Sequence, residues 1–209
     1  MGHFLGSYLN LFFTKDGNVP GFVYSDFSKQ LSSFTNKILI IFNKLNIVNT
    51  PSKEAELFET SLNWLYSNIN SVFTNEKTPK VIKNHVHPLS ESYTLLSHSS
   101  AGHIVTYYLN RTCGLIDKLV LLDPVDGSDP FGIDKSYIIH PPNKLSTFKT
   151  PTLVAISGLS QTPVFSLFPA CAPEKLSNLR FYDAFTGPTW FMNITNYGHA
   201  DILDNWVLF

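Results

Sequence analysis

The sequence predicts an α/β fold, a doubly wound, mostly parallel sheet of about six strands covered on both faces. Two observations carry this. Strand-length apolar runs alternate along the chain with longer amphipathic segments or crossovers. The 209 residues are 44% hydrophobic, with 17 Phe, 9 Tyr and 3 Trp, which suits a large core and argues against disorder. A chain of this length buries roughly 70% of its unfolded surface, so neither disulfides nor metals are needed to hold it together. One domain over residues 1–209 is expected.

The elements follow in order. Residues 9–13 (LNLFF) form a strand candidate closed by the turn-forming Thr14-Lys15-Asp16-Gly17. Apolar positions 24, 27, 31 and 34 have helical spacing. Residues 37–42 (KILIIF) read as a second, buried strand. Residues 52–73 are the clearest helix: Ala55, Leu57, Phe58, Leu62, Leu65, Ile69 and Val72 lie along one side, and Glu54, Glu56 and Glu59 sit near the start, where they suit the positive helix end. The polar stretch 74–88, with His85 and His87, is a surface excursion. Strands are then expected at 93–96, 118–122, 152–157 and 190–194, helices at 101–109 and within 173–185, and a long loop at 123–149. A last helix should begin at 200–206.

Charge and motif content narrow the function. Fifteen basic and sixteen acidic residues leave a net charge of −1, so nucleic acid and anionic membranes are not expected partners. No apolar run approaches a membrane span, and the first residues lack the features of a signal peptide. Cys113 and Cys171 lie far apart with no CxxC pairing, which argues against a zinc site or disulfide framework. The sequons at Asn110 and Asn193 are short enough to arise by chance. His85 and His87 lack a third ligand nearby, so no metal and no cofactor are expected.

In parallel sheets chemistry gathers beyond the carboxyl ends of the strands, and three such ends stand out. Ser97-His98-Ser99-Ser100-Ala101-Gly102 runs from a strand into a helix through small residues, the shape of a G-x-S-x-G nucleophile elbow with Ser97 and Ala101 in the glycine places. Small residues are needed because the tight turn brings backbone close to the serine. The Ser100 N–H would be one oxyanion donor. Asp123 follows the next strand directly and could orient a histidine; Asp126, three residues deeper in the loop, is its rival. His199, after Gly198, follows the last strand. Each feature has an ordinary reading alone: a serine-rich turn, a turn-initiating aspartate, a surface histidine. Together they give the hydrolase order Ser, Asp, His. His98 and His103 flank the elbow but should point away from the serine hydroxyl. Asp201 and Asp204 read as helix-start charges.

These residues resemble the chlorophyllase-like branch of the α/β-hydrolases over nearly the whole chain. The family's G-H-S-x-G-G is matched by residues 97–102, its L-D-P-V-x-G by 122–127, its P-x-C-A-P by 169–173, and its Y-G-H-x-D-x-L-D by 197–204. Tyr24-Ser25-Asp26 and Leu31 are similar to its first helix. The position of Asp126 need not be acidic in the family, which favours Asp123. Where the family carries His-Gly followed by Phe or Tyr, this chain has Thr14-Lys15-Asp16-Gly17, so the resemblance assigns the second oxyanion N–H to Thr14 or Lys15. It also implies a single α/β-hydrolase domain truncated at both ends, lacking the first two strands and the final helix.

The activity implied is that of a serine esterase on a small lipophilic ester, such as the phytyl ester of chlorophyll. Ser99 is the expected nucleophile, His199 the base and Asp123 its orienting carboxylate. Phe131, Tyr137, Phe165 and Phe168, in loops after strands, are the expected lining of an apolar mouth. The competing expectation is a hydrolase scaffold used only for binding.

Overall fold

A computed structural model describes residues 21–35, 39–42, 50–74, 93–112, 116–127, 137–145, 149–163, 170–177 and 179–204. Four strands, β1 (Tyr93–His98), β2 (Ile116–Leu122), β3 (Thr152–Ser157) and β4 (Thr189–Ile194), form a sheet in that order among the described residues. Every neighbouring pair is parallel. All four carboxyl ends therefore share one rim.

Alternation along each strand sorts the side chains onto two faces. Leu95, Leu119, Leu121, Val154 and Ile156 enter the larger core with α2 (Pro51–Thr74) and α3 (Ala101–Arg111). There Phe58 meets Tyr108 edge to face at 5.0 Å. Leu96, Val120 and Leu122 face the other way, onto Val23, Tyr24, Phe27 and Leu31. Those four belong to a 3-10 turn (Gly21–Tyr24) and the helix α1 (Ser25–Thr35) that follows it. Both faces of β1 and β2 are thus covered, in line with the doubly wound expectation. β4 is at the edge of the described sheet, and its Trp190, Met192 and Ile194 are exposed.

Local chemistry explains the helix starts. Thr50 caps α2 through its carbonyl, which accepts from the Glu54 N–H, and its hydroxyl, which accepts from the Lys53 N–H. Pro51 then occupies the first helical position, where its missing N–H is no loss. The short α4 (Leu179–Ala184), preceded by a 3-10 turn (Glu174–Leu176), carries the chain towards β4.

Two expected elements differ. Residues 39–42, the described part of the strand expected at 37–42, have no regular secondary structure, although Ile41 and Phe42 pack into opposite cores. The helix expected from 200 is a turn over the described residues up to 204, with Asp201 N–H bonded to Gly198 O and Leu203 N–H to Ala200 O. Tertiary bonds hold it there: Val23 O accepts from the Asp204 N–H, and the Asp204 carboxylate accepts from the Asp26 N–H. Asp201 and Asp204 are therefore turn anchors, Asp201 accepting from the Gly198 N–H, and not helix-start charges. The strand candidate at 9–13 and the excursion with His85 and His87 lie outside the described residues.

Candidate active site

Ser99 follows β1 with φ 58°, in the left-handed region that costs a non-glycine residue about 1–2 kcal/mol. Four backbone bonds surround this turn. Its N–H donates to Leu122 O at 3.1 Å, and its carbonyl accepts from the Gly102 and Val125 N–H groups at 3.0 Å each. His103 N–H closes the first turn of α3 on Ser100 O. Gly102 allows the packing. A Cβ there would lie 2.7 Å from Cβ of Pro124, so the helix can approach the loop after β2 only without one.

Asp123, directly after β2, is the second residue with positive φ, at 45°. Its carboxylate is buried and divided between two tasks. Oδ1 accepts from the Ser157 N–H at 3.1 Å and the Ser160 hydroxyl at 3.0 Å; Oδ2 lies 2.6 Å from His199 Nδ1. The carboxylate can only accept, so Nδ1 carries the proton, and the free lone pair is on Nε2. Nε2 stands 2.9 Å from Ser99 Oγ. Hydroxyl, imidazole and carboxylate, separated by 100 and 76 positions, form one hydrogen-bonded chain across three strand ends. Such a chain can take the hydroxyl proton as the oxygen attacks and stabilise the resulting imidazolium.

Around the chain the structure adds residues that the sequence did not single out. Ser160, three positions beyond β3, was findable by the same strand-end rule. Its carbonyl accepts from the Ala172 N–H at 3.3 Å, which ties the Cys-Ala-Pro segment 171–173 to the carboxylate's support. Burial pushes the Cys171 thiol above its ordinary range, and the Asp123 charge adds to that. Gly158 is a second close approach: a Cβ there would meet Thr195 O at 2.5 Å.

Asp126, the rival carboxylate, has other partners. It is fully buried and accepts from the Ile138 and Ile139 N–H groups, pairs with His103 Nδ1, and receives Arg180 Nε, the last two at 2.8 Å. Arg180 also donates to Ile139 O and lies over the Tyr137 ring. Burial pushes the Asp126 carboxyl up, but His103, Ile138 and Arg180 outweigh it and bring it below its ordinary value. This knot joins α3, the loop after β2 and α4. Tyr137 packs here with Val125, Ala172 and Leu176, beneath the Arg180 guanidinium.

Ser100 is the N-cap of α3, and its N–H finds no backbone acceptor among the described residues. Thr14, Lys15, Phe131, Phe165 and Phe168 lie outside the described residues. Among the described residues no three His, Cys, Asp or Glu side chains group as metal ligands, and no helix is long and apolar enough to cross a membrane.

Comparison with known proteins gives a family and a fold. The chlorophyllase family model matches residues 3–208. Chlorophyllase-2 of Arabidopsis thaliana is 29% identical over 196 residues, 88% of this chain; the chain spans 58% of that relative's length. A solved structure from work on LipS and LipT, two metagenome-derived lipolytic enzymes, superposes with a TM-score of 0.52 at 12% identity, covering 98% of this chain and 89% of that one. At that identity the likeness is one of fold.

Proposed function

The chain belongs to the chlorophyllase family, and from that premise we propose that it is a serine carboxylic-ester hydrolase acting through an acyl-enzyme on a lipophilic ester. The observation that carries this reading is the Ser99–His199–Asp123 chain, with steps of 2.9 and 2.6 Å.

Ser99 Oγ attacks the ester carbonyl carbon while His199 Nε2 takes the hydroxyl proton. Asp123 holds the imidazole in the Nδ1–H tautomer and stabilises its cation. The oxyanion accepts from the Ser100 N–H and from a second donor in the loop of Thr14 and Lys15. Collapse of the tetrahedral intermediate breaks the ester C–O bond, and His199 gives its proton to the departing alcohol. Water then attacks the acyl-enzyme with His199 again as base, releasing the acid and restoring Ser99. No step calls on a metal or a cofactor.

Two supports bear on the substrate: the name of the plant relative, chlorophyllase-2, and the lipolytic description of the structural neighbour. Both point to an ester with a long apolar alcohol or acyl chain. Phe131, Tyr137, Phe165 and Phe168 are the proposed lining for it.

The competing reading, a binding protein on a hydrolase scaffold, is favoured by Thr14-Lys15-Asp16-Gly17 in place of the family's His-Gly. A fluorophosphonate probe decides between them, because its attachment to Ser99 needs an activated hydroxyl. Labelling of the wild type but not of Ser99→Ala supports the hydrolase. Folded wild-type protein that takes up no label supports the binding protein. Esters of graded alcohol length then define the substrate class.

A further inference from the structure

His98 lies between the strand that carries the nucleophile and the turn that carries the base. It is the last residue of β1 and shares the α1 face with Leu96, two positions earlier. Its ring is buried, with Nδ1 2.8 Å from the Tyr24 hydroxyl and Nε2 3.1 Å from the carbonyl oxygen of His199. The carbonyl can only accept, so Nε2 carries the proton; Nδ1 then accepts, and the Tyr24 hydroxyl donates. One directed chain results, from Tyr24 O–H to His98 and from His98 N–H to the His199 backbone. We propose that His98 is a positioning residue for His199, fixing through that backbone bond where the imidazole stands between Asp123 and Ser99. The inference rests on His199 being the base of the hydrolase proposed above.

Three further observations support it. His199 sits in a turn, so no strand ladder or helix sets its backbone. The same turn is held on the α1 side by Asp204, bonded to Val23 and Asp26, so Tyr24 lies within a segment that already braces this turn. The two imidazoles also lie side by side, with centroids 4.7 Å apart and planes tilted by 32°. A cationic His98 would oppose the imidazolium that acyl transfer needs at His199. Burial, with His199 alongside, lowers the His98 pKa to about 3 and keeps the ring neutral.

Three variants test the proposal on p-nitrophenyl butyrate. His98→Phe fills the site but makes neither hydrogen bond. His98→Gln can donate to the same carbonyl and accept from Tyr24. Tyr24→Phe removes one buried hydroxyl. A small displacement of the base is enough to lower kcat by about tenfold to a hundredfold in His98→Phe, with KM within about twofold of wild type. His98→Gln should recover to within about threefold of wild type, and Tyr24→Phe should lose about threefold to tenfold. The far-downfield proton resonance of His199 Nδ1–H, read by NMR, should persist in His98→Gln and be lost or broadened in His98→Phe. A folded His98→Phe with wild-type kcat, or a His98→Gln no better than His98→Phe, overturns the proposal. If His98→Phe does not fold, a Tyr24→Phe with unchanged kcat and resonance overturns it equally. Should the wild type show no Ser99-dependent turnover, the hydrolase reading fails, and the resonance in the three proteins still decides the positioning.

Discussion

Ser99 and Asp123 stand at the ends of adjacent parallel strands, both with positive φ, 58° and 45°. Backbone bonds tie the two ends together: Ser99 N–H donates to Leu122 O, and Val125 N–H donates back to Ser99 O. Asp123 N–H in turn donates to Ala155 O on β3. The hydrogen bonds of the sheet thus continue one step beyond the strands and hold two strained residues in place. This fits the tendency of backbone strain to gather at functional sites.

Replacing Asp123 by Asn should keep the fold and remove the tautomer control over His199. An amide can present its N–H to Nδ1, leaving Nε2 protonated and unable to accept from Ser99. A fall in kcat of about 10⁴ is expected, measured on p-nitrophenyl butyrate with circular dichroism as the check on folding. Ser160→Ala removes one donor to the same carboxylate and should cost much less, about 1 kcal/mol of stability. Asp123→Asn with near-wild-type kcat would remove Asp123 from the mechanism.

Gly102→Ala tests the packing behind the elbow. The new methyl meets the rigid Pro124 ring at 2.7 Å, and Pro124 is covalently attached to Asp123. Overpacking of this kind costs about 1–3 kcal/mol. Because the displacement reaches Asp123, kcat should fall together with the urea midpoint. A variant that lost stability while keeping wild-type kcat would mean that α3 moves and the loop stays put.

The sheet was legible wherever strand-length apolar runs ended in chemistry-bearing residues. Ser99, Asp123 and His199 each follow such a run, so the strand-end rule singled out the three side chains that the structure joins by hydrogen bonds. Ser160 obeys the same rule but belongs to no motif, and a lone serine beyond TLVAIS gives no reason to prefer it. His98 was expected to point away from the serine hydroxyl. It does, but a period-two pattern cannot reveal that its partner is the backbone of a residue 101 positions away. The turn at 198–204 was misread as the start of a helix because its bonds to Val23 and Asp26 are long-range. Residues 39–42 show the same limit: among the described residues no strand pairs with them, and an apolar run alone makes no strand.

Asp126→Asn should separate structure from chemistry. The buried carboxylate answers His103, Arg180 and two backbone N–H groups. Removing its charge leaves Arg180 without its anion, a change that typically costs about 3–5 kcal/mol. Its partners are not those of Ser99 or His199, so folded variant protein at low temperature should retain most of its kcat. Loss of kcat without loss of thermal stability would instead place Asp126 in the reaction.

Stability should fall in two stages on acidification, and the first belongs to His98. In the unfolded chain this imidazole takes a proton near its ordinary 6.5; in the native protein it resists down to about 3. Between these values the unfolded state binds more protons, so native stability is complete above pH 6.5 and declines as pH falls. The slope approaches about 1.4 kcal/mol per pH unit, so about 3 kcal/mol should be lost by pH 4.5. Asp126, held below its ordinary 3.8, adds a second decline only when pH falls below that value. Urea unfolding of wild type and His98→Gln at pH 7.5, 6.0 and 4.5 isolates the first stage. Glutamine does not titrate, so the variant's curve should be flatter above pH 4.5. Parallel curves for the two proteins would show that His98 gains no proton on unfolding, and that its burial is not what the acid limb measures.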